Sequence, residues 1–158
     1  MKIIFCGTPD FAVGALKALV ADRSHEVLAV LCQPDKPSGR GMKLQAPPVK
    51  IFSESKGLSV YQPSMSKDIK TIIDDHKPDL VVVVAYGKIF RADLVSAYPF
   101  LNIHASLLPK YRGASPIHSA ILNGETESGV SIMLLSEGMD EGDVLSQARV
   151  PIGLDETT

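Results

Sequence analysis

A side-chain amide and an imidazole stand two positions apart in this sequence, where an apolar run ends. They are Asn102 and His104, in the segment FLNIH at residues 100–104. If the run is a β-strand, side chains two apart point to the same face, so the two groups lie side by side. An amide can donate to an oxygen that gains negative charge, and an imidazole, with an ordinary pKa near about 6.5, exchanges protons at physiological pH. The spacing therefore predicts a catalytic pair.

An acidic loop further along the chain offers a third group. Asp140 lies in the segment SEGMDEGD at residues 136–143, after another apolar strand-like run. Its carboxylate could orient the imidazole or hold its positive charge. By residue type alone, His104 is more often a hydrogen-bonded residue at a strand end. Asn102 and Asp140 together favour catalysis instead. His25, His76 and His118 are expected to have surface or packing roles.

Longer motifs around these residues resemble one enzyme family. In chain order they are NIH at 102–104, SLLP at 106–109, GVSIM at 129–133 and DEG at 140–142, and together they resemble the folate-dependent formyltransferases. The segment GTPDFA at 7–12 and the GRG at 39–41 are similar to those members of the family that act on methionyl-initiator tRNA. The resemblance covers essentially the whole chain of 158 residues.

The resemblance implies transfer of the formyl group of 10-formyltetrahydrofolate to the α-amino group of methionyl-initiator tRNA, for translation initiation. In that reaction Asn102 would donate to the developing oxyanion, and His104, protonated, would stabilise its charge. Asp140 would hold His104 and assist proton movement. The chemistry needs no metal and no covalent enzyme intermediate.

The same resemblance implies three folate-binding segments. They are the turn Ser106, Leu107, Leu108 and Pro109; the loop Tyr86, Gly87 and Ile89; and the loop Glu137, Gly138 and Met139. Backbone groups suit a pterin, whose planar edge carries hydrogen-bond donors and acceptors. Lys88 and Arg91 depart from the family, which often has an apolar residue and a proline at these two positions.

A basic segment rich in proline and glycine is expected to select the acceptor. Over residues 33–50, four positive side chains, Lys36, Arg40, Lys43 and Lys50, stand against Asp35 alone. Proline and glycine are expected to keep this segment out of regular structure. Such a cluster is usually a solvated face. Together with the resemblance, the segment is expected to bind the tRNA acceptor stem through Lys36, Arg40 and Lys43. Arg40 is the side chain expected to reach furthest.

Composition limits the class of protein. A chain of 158 residues, 45% hydrophobic and 22% charged, predicts one soluble globular domain. A formal net charge of −2 argues against binding a polyanion through bulk charge. No apolar run is long enough for a membrane span and no signal-peptide pattern is present, so a cytoplasmic protein is expected. The protein is also expected to be a monomer. Cys6 and Cys32 are expected to be reduced thiols in the core.

The elements that must position these groups alternate between strand and helix patterns. Strands are expected at 2–6, 26–32, 58–61, 80–85, 100–104, 129–135 and 143–150, and helices at 11–20, 49–56, 66–75, 91–97 and 116–122. This order predicts an α/β fold, a three-layer α/β/α Rossmann-like sandwich with a mostly parallel sheet. Ligands of such folds bind at the carboxyl ends of the strands. Residues 33–48 are expected to be irregular, and Ser66 to cap its helix.

The domain organisation follows from the same resemblance. By this resemblance residues 1–158 are expected to be a formyltransferase catalytic domain, without the C-terminal β-barrel domain that full-length relatives carry. A glycinamide ribonucleotide formyltransferase on the same core, and a catalytically idle folate- or nucleotide-binding module, are the alternatives. The basic insertion argues against the first alternative. Asn102, His104 and Asp140 argue against the second.

Overall fold

A computed structural model describes residues 1–39, 41–136, 138–153 and 155–157. The chain divides into two compact units, residues 1–100 and 101–158. Among the described residues, no helix is both long enough and apolar enough to span a membrane.

The first unit is built on a parallel sheet. Its strands are β1 (Lys2–Gly7), β2 (Glu26–Leu31), β3 (Lys36–Ser38), β4 (Lys43–Gln45), β5 (Val60–Tyr61) and β6 (Leu80–Val84), and its helices are α1 (Asp10–Ala21), α2 (Pro48–Ser55), α3 (Ser66–His76) and α4 (Ala92–Ala97). Strands β5, β2, β1 and β6 lie side by side in that order, all parallel. In β1, residues 3–6 are at most 1% exposed, so both faces of this central strand are covered.

The second unit is antiparallel. It contains β7 (Phe100–His104), α5 (Pro116–Leu122), β8 (Glu127–Leu134) and β9 (Val144–Pro151). Strand β8 pairs with β7 on one side and with β9 on the other. Its buried positions alternate, at Gly129, Ser131 and Met133, as expected for a strand with one covered face. Every residue of β9 is exposed.

The expected strands and helices are all present, with shifts of at most two residues at their ends. The prediction of an irregular loop at residues 33–48 is wrong for the middle of this segment, where β3 and β4 form an antiparallel hairpin. Gly39 and Met42, both at positive φ, make its turn. Each strand has only three residues, too few for an alternating pattern to be visible in the sequence.

The expected cap of α3 is also wrong by one position. Ser66 is the first residue of the helix, and Met65 occupies the cap position. The carboxylate of Asp68 accepts from the Met65 backbone N–H at 3.3 Å. An acidic side chain in the first turn therefore supplies the acceptor for the backbone N–H at the cap position. Both cysteines are free and buried, as expected, and burial raises the pKa of the Cys32 thiol to about 11.

Candidate active site

Strand β7 carries the predicted amide and imidazole on one face. Asn102 is paired with Met133 of β8, and His104 with Ser131. Asp140, from the loop between β8 and β9, lies against both side chains: its Oδ1 is 3.5 Å from Asn102 Nδ2, and its Oδ2 is 3.8 Å from His104 Nδ1. The structure therefore brings the three predicted catalytic residues together, and we refer to Asn102, His104 and Asp140 as the candidate cluster.

Both ring nitrogens of His104 face oxygen atoms. Nε2 lies 2.8 Å from the backbone carbonyl oxygen of Tyr111. Because a carbonyl can only accept, Nε2 carries a hydrogen. Nδ1 is directed towards Asp140, and the His104 side chain is only 8% exposed. A doubly protonated ring therefore has one oxygen partner for each N–H, in a place where water has little access.

The loop that carries Asp140 holds the carboxylate in a fixed position. Its backbone has a φ of 52°, in the left-handed region that costs energy for residues other than glycine. The N–H of Gly113 donates to Asp140 Oδ2 at 2.8 Å. At Gly142, an added Cβ would lie 1.9 Å from the carbonyl oxygen of Leu134. Only glycine allows the loop to close this tightly onto the end of β8.

The turn after β7, residues 106–111, is fixed by a buried serine that the sequence analysis missed. The Ser131 hydroxyl donates to the carbonyl of Ser106 at 2.6 Å and accepts from the N–H of Leu108 at 3.0 Å. Gln147 of β9 donates from Nε2 to both Ser131 Oγ and the Leu108 carbonyl. The signal available in the sequence was a hydroxyl at an inward position of the strand GVSIM.

The same turn holds four of the residues predicted to bind folate. The Ser106 hydroxyl donates within the turn, to the carbonyls of Lys110 and Tyr111. Leu107 packs against Gly129, where an added Cβ would lie 2.6 Å from Leu107 Cδ2. Leu108 is buried, and its peptide bond to Pro109 is cis. The Ser106 hydroxyl and the Leu107 side chain thus have contacts inside the protein.

The other predicted folate segments differ in exposure. In the second unit, Met139 is exposed and Gly138 partly so, whereas Glu137 lies outside the described residues. In the first unit, Ile89 is 81% exposed and Gly87 has a φ of 79°. The ring of Tyr86 is buried, and its carbonyl accepts from the Thr8 hydroxyl and from Gln33 Nε2 at 3.0 and 3.1 Å.

Lys88, one of the departures from the family pattern, has a structural role in the first unit. Its ammonium group donates to the backbone carbonyls of Pro63 and Ser64, the latter at 2.8 Å. This side chain therefore ties the loop after β6 to the segment that follows β5. Arg91, the other departure, pairs with Asp93 at the exposed start of α4.

The hairpin β3–β4 presents two of the three predicted tRNA contacts. Lys36 pairs with Gln45 and Ser38 with Lys43, so the two lysines lie on the same face of the hairpin, and both are exposed. Arg40, the third predicted contact, lies outside the described residues. A cavity of about 330 Å³ lies at the hairpin base, where Thr8, Gln33 and Pro47 are part of its lining.

Lys50 does not add to the exposed positive charge of this segment. Its Nζ lies 2.9 Å from Asp35 Oδ2 and 3.0 Å from Gln62 Oε1. The hydrogen bond with Asp35 raises the pKa of Lys50. Hydrogen bonds from Gln62 and then Lys50 lower the pKa of Asp35. The pair is an internal support at the base of the hairpin.

The described residues contain no cluster of three potential metal ligands.

Comparison with known proteins identifies the family. A formyl transferase family model matches residues 1–158. The chain belongs to the formyl transferase family. The methionyl-tRNA formyltransferases of Desulforamulus reducens and Moorella thermoacetica are 48% and 49% identical to it over 161 and 162 aligned residues, which cover 99% and 100% of this chain. The alignments cover 50% and 52% of those proteins, so the chain spans about half the length of the curated relatives it matches.

A solved structure confirms the predicted fold class. The phosphoribosylglycinamide formyltransferase of Bacillus halodurans matches with a TM-score of 0.79 at 22% identity, over 99% of this chain and 83% of that one. The shared fold is α/β, with a mostly parallel central sheet and flanking helices.

Proposed function

We propose that this chain is the catalytic part of an enzyme that transfers the formyl group of 10-formyltetrahydrofolate to the α-amino group of methionyl-initiator tRNA. The candidate cluster is the observation that carries the proposal, because Asp140 lies 3.5 Å from Asn102 and 3.8 Å from His104. The identity of 48% to a methionyl-tRNA formyltransferase supports the choice of acceptor. The proposed acceptor, an initiator tRNA, belongs to translation, so the proposed place of action is the cytoplasm.

The cluster suits acyl transfer to an amine. The amine lone pair forms a bond to the formyl carbon, and the carbonyl π electrons move to oxygen, which becomes an oxyanion. Asn102 would donate from Nδ2 to that oxygen, and His104 would stabilise its charge from Nδ1. The proton lost by the amine would pass to Asp140, through water, and then to N10 of the folate as the bond from formyl carbon to N10 breaks.

Substrate binding would use the predicted segments. We assign the pterin to the backbones of Gly87, Ile89, Gly138 and Met139, together with Tyr86, Glu137 and the turn at residues 106–109. The tRNA backbone would contact Lys36 and Lys43 on one face of the hairpin, together with Arg40, which lies outside the described residues. Two exposed lysines on one face support phosphate contacts, since phosphates are the main source of affinity for nucleic acids.

Substitution of the cluster tests the proposed chemistry. In the complete gene product, His104→Ala and Asn102→Ala should each lower kcat for formylation by about 10²- to 10³-fold, because both groups act on charge that develops during the reaction. The dissociation constant for a non-reactive folate analogue should change little. His25→Ala is the matched control, since His25 lies in a turn of the first unit. Wild-type turnover in either cluster variant would remove that residue from the mechanism.

Glycinamide ribonucleotide remains the second candidate acceptor, because the structural similarity is to a phosphoribosylglycinamide formyltransferase. An assay that offers both acceptors with the same formyl donor separates the two functions. We expect formylation of methionyl-tRNA only. Formylation of glycinamide ribonucleotide alone would replace the proposed function. Transfer to neither acceptor would favour a binding module without activity.

A further inference from the structure

The position of the proton on His104 depends on a backbone atom seven residues away. The Tyr111 carbonyl oxygen is the acceptor for His104 Nε2 at 2.8 Å. A main-chain oxygen cannot be chosen by residue type, so its position must be set by whatever fixes the backbone of Tyr111. The near end of the turn is fixed by Ser131, which holds Ser106 and Leu108. At the far end, the Ser106 hydroxyl donates to the carbonyls of Lys110 and Tyr111 at 2.6 and 3.2 Å, and one further support acts on Tyr111 itself.

The side chain of Tyr111 supplies that support. Its hydroxyl donates to Glu125 Oε1 at 2.5 Å, and Lys110 Nζ lies 3.0 Å from the same oxygen. Glu125 follows α5 and precedes β8, so it belongs to a different part of the second unit from the turn. The hydrogen bond from Tyr111 and then that from Lys110 lower the pKa of Glu125, which keeps the carboxylate charged as an acceptor. Both partners are partly shielded from solvent.

We propose that Tyr111 and Glu125 are positioning residues for His104. Their hydrogen bond holds the Tyr111 carbonyl against Nε2, which fixes the ring plane and keeps the Nε2 proton in place, so that Nδ1 faces Asp140. The inference deepens the proposed function and rests on it for its catalytic consequence. It does not make Tyr111 or Glu125 a catalytic residue, since neither side chain contacts the cluster in the described hydrogen bonds.

The physical reason is the low exposure of the ring. If the carbonyl moves away, the Nε2–H loses its acceptor in a place where the side chain is only 8% exposed. An unpaired buried donor is costly, so the neutral ring then gains by moving its proton to Nδ1, where the Asp140 carboxylate can accept. The Nδ1 proton would then point at Asp140 in the neutral ring, and the ring plane would no longer be fixed from its far side.

The tautomer can be measured directly. We would label histidine with ¹⁵N and record the Nδ1 and Nε2 chemical shifts of His104 at a pH where the ring is neutral. The wild-type protein should have its proton on Nε2. Tyr111→Phe removes only the hydroxyl and should shift the population substantially towards Nδ1–H. Tyr98→Phe is the matched control, because Tyr98 donates to Asp74 at 3.0 Å in the first unit; it should leave the His104 shifts unchanged.

A second pair of variants covers the case in which Tyr111→Phe does not fold. Glu125→Gln keeps an oxygen that can accept from the Tyr111 hydroxyl and should retain the wild-type tautomer. Glu125→Ala removes the acceptor and should behave as Tyr111→Phe. If folded Glu125→Ala and Tyr111→Phe proteins both keep the wild-type tautomer, the inference is overturned, even where their thermal stability has fallen.

Kinetics connect the tautomer to the reaction. In the complete gene product, Tyr111→Phe should lower kcat about tenfold, as small errors in the placement of a reacting group do, while KM for each substrate changes by less than about twofold. A loss of kcat without a change of tautomer would also overturn the inference. If the wild-type protein formylates neither acceptor, the proposed function fails, and the tautomer measurement still decides the role of Tyr111 and Glu125.

Discussion

The hydroxyl of Tyr86 is buried without a hydrogen-bond partner among the described residues. Its ring is 1% exposed and stacks on Phe90 at 5.6 Å between ring centroids. Burial raises the pKa of this phenol well above its ordinary value, so the group stays neutral. Removing a buried polar atom that has no partner relieves a desolvation cost of about 1 to 3 kcal/mol.

Tyr86→Phe should therefore raise the free energy of unfolding by about 1 kcal/mol, as measured by urea denaturation. Tyr98→Phe is a suitable comparison, because its hydroxyl does have a partner in Asp74 and its loss should be neutral or destabilising. A destabilised Tyr86→Phe protein would mean that the hydroxyl has a partner such as a bound water molecule.

Asp140 combines a strained backbone with a charge next to His104. Asp140→Asn keeps the shape of the side chain, can still accept from the Gly113 N–H, and tolerates a positive φ. It loses the charge that faces Nδ1. We expect kcat to fall by about 10²-fold while the thermal transition stays close to that of the wild-type protein. A variant that lost its thermal transition but kept normal activity in its folded fraction would show that Asp140 is structural.

At the scale of elements, the hairpin β3–β4 is supported from its base. Asp35, directly before β3, is held by Lys50 of α2 and by Gln62, whose Nε2 also donates to the Gln33 carbonyl. Gln33 in turn donates to the Tyr86 carbonyl. One polar network thus connects the ends of β2, β5 and β6 with the start of the hairpin, on which Lys36 and Lys43 are exposed.

Replacing both lysines tests whether the hairpin binds tRNA. Lys36→Ala with Lys43→Ala should lower kcat/KM for methionyl-tRNA and reduce the slope of log(kcat/KM) against log salt by about 2, since each lost phosphate contact removes about one unit. Folate binding should not change. Lys67→Ala with Lys77→Ala removes the same charge from exposed positions at either end of α3 and should leave the slope unchanged. An unchanged slope in the hairpin variant would mean that Lys36 and Lys43 face solvent and do not contact the tRNA phosphates.

Elements with a clear pattern were predictable from the sequence. The run LVVVV indicated a buried strand, and β6 is one; the proline at the start of PIHSAIL and the glycine after its end bounded α5. Because β7 was recognisable as a strand, the two-residue spacing placed Asn102 and His104 on one face. The hairpin was not predictable, since its strands are three residues long and the first of them, KPS, carries a proline, which normally interrupts a strand.

The supports of the candidate site were not predictable either, for a different reason. The contacts that hold the turn at residues 106–111 go mostly to backbone atoms, as in the bonds of Ser131 to Ser106 and Leu108 and of His104 to Tyr111. Every residue type carries the same carbonyl and, except for proline, the same N–H. Their pairing depends on how the chain turns in space, and the identity of side chains carries little information about it.

For the molecule as a whole, several carboxylates have a folded-state pKa below the ordinary value. They are Asp22, Asp35, Asp74, Asp93 and Glu125. In each case the largest cause is a hydrogen bond from a neighbour, as from Lys70 to Asp74. A lowered pKa means that the group stabilises the fold above its unfolded-state pKa, and that this contribution disappears as the pH falls through the folded-state pKa.

The urea midpoint should accordingly stay nearly constant from pH 7 to about 5 and decrease below about pH 4, near the ordinary pKa values of these side chains. Because the groups are exposed or only partly shielded from solvent, each contributes little and the decrease reflects their sum. The double variant Asp35→Asn with Glu125→Gln should show a shallower decrease over the acid range. A midpoint that rises on acidification would contradict the assignment of these carboxylates as stabilising in their charged form.

The dependence of His104 on a main-chain oxygen has an evolutionary consequence. No codon specifies that oxygen itself; the side chain at position 111 acts only by holding its own carbonyl in place, as Tyr111 does through Glu125. What must be inherited is the number of residues between His104 and Tyr111, since that number decides which carbonyl meets Nε2. A deletion or insertion of one residue in this interval should harm the reaction more than any substitution within it. Related proteins that retain this site should therefore conserve the length of the turn more strictly than its amino-acid sequence.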